Sequence, residues 1–99
     1  MLASRGDGEL PVRLESDAAG EHRVRVAQGE RIELRLPRGF DRAHQVGPVA
    51  QERPLPIGAT WDSASGIFYW QPAPGFFGSF RLVFGNGRER VSVRIVVTP

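Results

Sequence analysis

The chain has 99 residues, thirteen basic and eleven acidic side chains, a net charge of +2 and no cysteine. That length suits one domain with one core, and the missing cysteine excludes disulfides, thiolate nucleophiles and cysteine-ligated zinc. Every basic residue is arginine, and acids and arginines mix along most of the sequence, which argues against the segregated basic stripe of a nucleic-acid binder.

In chain order, the opening "MLASRGDGE" is polar and lacks the apolar stretch of a signal peptide. It reads as a flexible tail over residues 1–9, ahead of a single domain over 10–99. Arg5-Gly6-Asp7 spells an integrin-binding tripeptide, but in an unconstrained tail it reads as a chance match. From there period-two alternation dominates. Val12 and Leu14 flank Arg13, Val24 and Val26 alternate with arginines, and Ile32, Leu34 and Leu36 oppose Glu33 and Arg35. These are strands with one face buried and one wet. "DAAGE" (17–21) and "AQGE" (27–30) are the turns between them. Residues 37–54 are the least regular part and read as a long loop or weak edge strands.

The stretch from Leu55 to Phe80 holds both tryptophans, the single tyrosine and four of the six phenylalanines. Pro56 and Gly58 mark a turn, and a short strand reaches Asp62. That carboxylate is placed to accept backbone N–H groups two or three residues on, and Gly66 supplies the positive φ that closes the reversal. In "IFYW", Phe68 and Trp70 share one face and Ile67 and Tyr69 the other. Pro72 and Pro74 end that strand. Two further strands follow, with Phe80, Leu82 and Phe84 on one inner face and Val91, Val93, Ile95 and Val97 on the next. Asn86-Gly87 between them predicts a two-residue hairpin loop, which pairs Leu82 with Val91, Phe80 with Val93, Arg81 with Ser92 and Val83 with Arg90. No window shows helical spacing, and no run reaches the roughly 18 apolar residues of a membrane helix. The expectation is an all-β sandwich or barrel without membrane insertion.

The residues "LPIGATWDSASGIFYWQPAPGFFGSFRLVF", followed by the alternating strand ending "VRIVVTP", resemble bacterial immunoglobulin-like repeats of the dystroglycan-type cadherin-like kind. Leu55, Pro56, Gly58, Ala59, Trp61, Asp62, Gly66, Phe68, Trp70, Pro72, Gly78 and Phe80 carry the likeness, and "VRVAQGERIELRL" resembles the family's first hairpin. The resemblance spans residues 24–97, weakest over 37–54. It implies an immunoglobulin-like antiparallel β-sandwich of about seven strands in a larger bacterial surface or secreted protein, hence an extracellular setting. It also implies core positions for Trp70 and Trp61. Ser65 stands where the family usually has threonine, and the acidic positions that hold calcium in cadherin-like relatives are missing, so neither metal nor cofactor is expected.

Catalysis finds no support: His22 and His44 have no partner at motif spacing, and no pair of carboxylates is placed by sequence as acid and base. The expected function is non-catalytic, a structural or interaction module of the adhesion or spacer type. Its partners would be neighbouring domains of the same chain or another protein. The alternatives are a binding module for an anionic glycan and an accessory domain of a glycan- or peptide-acting hydrolase. The candidate contact residues are Arg81, Arg90 and Arg94 on the outer face of the last hairpin, and Ile67 and Tyr69 on the outer face of the "IFYW" strand.

Overall fold

Alternation of apolar and charged residues buries one face of each strand, and two such faces closed on each other make the core. The computed structural model describes residues 1–6 and 10–99, and among them it has ten strands and no helix. The strands form a β-sandwich of two five-stranded sheets. One sheet runs β2 (Val12–Arg13), β1 (Leu2–Arg5), β4 (Ile32–Arg35), β8 (Ile67–Trp70) and β7 (Thr60–Asp62). The other runs β3 (Glu21–Ala27), β10 (Arg90–Thr98), β9 (Gly78–Gly85), β5 (Arg42–Val46) and β6 (Glu52–Arg53).

The core lies between the sheets. Ile32 pairs with Trp70 and Leu34 with Phe68 across one ladder, and Leu82 pairs with Val93 across the other. All six are fully buried, as are Phe84 and Ile95. Phe80 is only half-buried. Trp70 packs edge-on to Phe80 and Phe76, at centroid separations of 5.1 and 6.0 Å, and its indole N–H donates to the Ile57 carbonyl at 3.2 Å. Burying such a side chain contributes roughly 1.5–3 kcal/mol, and the satisfied N–H removes the penalty a tryptophan otherwise carries into a core. Trp61 is half-buried, with its ring 5.1 Å from that of Phe84.

The reversal after β7 forms as the sequence predicts. Asp62 accepts the Ala64 N–H and the Ser65 hydroxyl, and Gly66 has φ +74°. Gly66 carries a second demand that no local pattern announces. A Cβ there would stand 2.8 Å from the Leu36 carbonyl oxygen, on a residue whose N–H already donates to the Gly66 carbonyl.

Several expectations are corrected. Ten strands replace about seven, two of them only two residues long. The sandwich is not wholly antiparallel: β3 runs parallel to β10. Leu2–Arg5 is not tail but strand, because its backbone extends the β4 ladder and Ala3 is buried; residues 7–9 of the expected tail lie outside the described residues. Val12 is exposed, since β2 covers only the outer edge of its sheet. Within 37–54, β5 pairs on both sides and is no edge; β6 is. The last hairpin slips by two residues, so that Leu82 meets Val93 and Phe80 meets Ile95. The cause is Asn86. Its carboxamide oxygen takes the N–H groups of Arg88 and Glu89, both at 2.7 Å, which makes it the first residue of a wider loop. A slip of two keeps every side chain on its expected face.

Candidate functional site

The arginine face grows out of that slip and out of the parallel pairing of β3. Arg94 meets Arg81 on β9 rather than Ser92 meeting it, and on its other side Arg94 meets Arg23 on β3. Three guanidinium side chains therefore stand in one row across three strands. Like charges directly opposite on a sheet destabilise it, and one carboxylate offsets them. Glu21, in the neighbouring row beside Ser92, accepts Arg94 Nε at 2.8 Å and Arg81 Nε at 2.9 Å through its two oxygens. It is the one buried charged residue among those described. The hydrogen bond from Arg94, and then the charges of Arg94 and Arg81, hold its carboxyl below the ordinary glutamate range against the opposing effect of burial.

Glu21 is itself positioned locally. Asp17 accepts the N–H groups of Ala19 and Glu21 at 2.9 and 3.0 Å, and the Glu21 N–H is the chief reason its carboxyl is lowered. Gly20, at φ +81°, lets the chain turn into β3 at that point. The motif "DAAGE" thus sets the residue that organises the face.

Around this hub the face stays cationic. Arg90 on β10 and Arg42 on β5 both pair with Gly85 on the strand between them. Among the described residues, Arg23, Arg25 and Arg90 on this face make no ion pair. Arg42 stands 3.9 Å from Asp41, and His44 stands 4.0 Å from Glu52. An open concavity of about 750 Å³ lies here, lined by Arg42, His44, Glu52, Arg81, Arg90 and Ser92 among others, with Val83 in its floor. Val83 is buried although it points away from the core, flanked by His44 and Ser92 across the ladders. A second concavity of about 430 Å³ shares Arg81 and Val46 with the first and adds Arg53, Arg94 and the half-exposed Phe77.

The structure places Arg81, Arg90 and Arg94 on one face, as the alternation predicts, but in unequal states: Arg81 and Arg94 are clamped by Glu21, and Arg90 is free to meet something else. Ile67 and Tyr69 lie on the outer face of the other sheet and are half-buried, so the two sets of candidate residues form separate patches. The Arg31 guanidinium sits over the Tyr69 ring at 5.5 Å, and the Tyr69 hydroxyl reaches Gln71 at 3.5 Å, leaving that ring partly covered by its own chain. The sequence reading missed Arg23, Arg42 and Glu21. The alternation of β3 already put Arg23 and Arg25 on one side, but only the parallel pairing with β10 tells which arginines they stand beside.

His22 faces inward beside Val93, and His44 lies on the opposite, outer face, so the two histidines share no site. Among the described residues no three histidine, aspartate or glutamate side chains group as a metal-binding set. Comparison with protein-family models, with curated proteins and with solved structures gives no match.

Proposed function

We propose that this chain is a non-catalytic, immunoglobulin-like interaction module of a larger bacterial surface or secreted protein, and that its arginine face is the surface that meets an anionic partner. The immunoglobulin-like part of the reading is supported by strand order. The sequence β1-β4-β8-β7 on one sheet corresponds to strands A-B-E-D of such a sandwich, and β5-β9-β10 on the other to C-F-G. The cadherin-like, bacterial and extracellular parts rest on the sequence resemblance alone.

The interaction part is carried by one observation: Arg23, Arg94 and Arg81 stand in a single cross-strand row. A sheet face needed only for solubility would mix its charges rather than align three of one sign. The planar fork of arginine matches carboxylates, sulfates and phosphates. The aromatic stretch competes poorly as a binding platform, because Phe68 and Trp70 are fully buried and Trp61 is half-buried against Phe84.

Retention on immobilised heparin separates a binder from a spacer. The folded chain is expected to be retained at physiological salt and released as salt rises. Arg23→Gln with Arg90→Gln, neither of which touches Glu21, is expected to elute earlier with an unchanged melting temperature. A chain that passes through unretained is a spacer.

A further inference from the structure

Arg42 and Arg90 flank a gap. Both pair with Gly85, whose strand contributes no side chain between them. With strands about 4.8 Å apart, their Cα atoms stand roughly 10 Å from each other. Two extended guanidinium groups can close that span on a single oxyanion. The same concavity offers a small apolar floor in Val83, a hydroxyl in Ser92 and an acceptor in the Glu52 carboxylate. It therefore suits a ligand with an anionic group, hydroxyl donors and an apolar face together. The adjoining concavity continues past Arg81 to Arg53 and the exposed ring of Phe77.

Resting on the reading of the arginine face as a binding surface, we propose that these two concavities are consecutive subsites for a carboxylated oligosaccharide of the uronate type, with a carboxylate between Arg42 and Arg90 and a further residue against Phe77. Sugar hydroxyls account for Glu52, which a bare polyphosphate would be repelled by. Single-stranded nucleic acid wants several aromatic rings along a basic track, and Phe77 is the one aromatic ring lining either concavity in an exposed state. The fold also shows what this face does with a carboxylate: Glu21 lies across Arg81 and Arg94 with both oxygens engaged at 2.8–2.9 Å.

The experiment is calorimetric titration of the 99-residue chain with hexameric oligogalacturonate, its methyl ester, a heparin hexasaccharide and an oligothymidylate. Oligogalacturonate binding is expected, with loss of roughly tenfold or more in Arg42→Gln and again in Arg90→Gln. A smaller loss is expected in Phe77→Ala, and none in Arg25→Gln, which lies on the same sheet face outside both concavities. The proposal is overturned if the methyl ester binds as well as the acid, since the carboxylate then contributes nothing. It is equally overturned if heparin or oligothymidylate binds more tightly and loses affinity in the same variants. If oligogalacturonate binds but Arg25→Gln weakens it as much as Arg42→Gln, the face survives as a diffuse polyanion surface and the groove does not. If none of the four probes binds, the broader reading of the arginine face falls with it.

Discussion

The aromatic stretch around Trp70 and the arginine face around Glu21 are built by opposite means. Trp70, Phe68 and the Asp62–Gly66 reversal are determined by residues close in the chain: alternation sets the face, and Asp62 and Gly66 set the turn. The arginine face is determined by residues far apart. Glu21 meets Arg81 and Arg94 only because β3 lies parallel to β10 and β10 turns back on β9 two residues later than an Asn-Gly loop would. The first region contributes stability through buried apolar area; the second holds charge in place at the surface. Disturbing the first should unfold the protein, and disturbing the second should leave it folded but altered in what it binds.

The largest expected effect sharpens that contrast. Trp70→Ala removes a fully buried ring and its N–H bond to Ile57, and should cost about 3–5 kcal/mol, a large share of a small domain's stability. Chemical denaturation measures it, and an unchanged midpoint would contradict the role assigned to the ring. Gly66→Val should follow at about 2 kcal/mol or more, because it forces a β-branched residue to positive φ with a Cβ against the Leu36 carbonyl. The same denaturation series checks it, and a loss no greater than that of a surface substitution would break the account of the turn.

Legibility divides along the same line. The faces of β4, β8, β9 and β10 could be read because side-chain direction has a period of two and survives a register error of two. The register itself could not, because whether Asn86 sits inside the loop or begins it depends on which backbone N–H groups its side chain captures. The strand at Leu2–Arg5 was hidden because only Ala3 is buried in it, which leaves no alternation to see. Glu21 and Arg23 were invisible as site residues because their partners lie some seventy positions away in sequence. Val83 pointed outward as expected, but its burial comes in part from His44 on β5, in the stretch that reads as a long loop or weak edge strands.

Smaller effects belong to the charged region. Glu21→Gln should cost about 1–2 kcal/mol, less than a buried pair usually does, because Arg81 and Arg94 keep access to water. The carboxyls of Glu21, Asp17 and Asp62 all lie below their ordinary range in the folded chain. Their contribution is therefore fully present above the unfolded-state values, near pH 4, and is lost as pH falls through the folded ones. Melting temperature should hold from neutral pH to about pH 5 and decline below it, more steeply in the parent chain than in Glu21→Gln. Equal acid slopes would remove Glu21 from that account. The smallest loss is expected for Asp62→Ala, whose carboxylate is fully exposed: a measurable fall in melting temperature with no change in polyanion binding.

The most direct test of where function lies is a residue-resolved titration. Backbone amide shifts of the isotopically labelled chain, followed as oligogalacturonate is added, should move along β5, β9 and β10 around Arg42, Arg81, Arg90 and Ser92 and remain still at Ile67 and Tyr69. Shifts confined to the Ile67–Tyr69 face would contradict the account and assign binding to the other sheet.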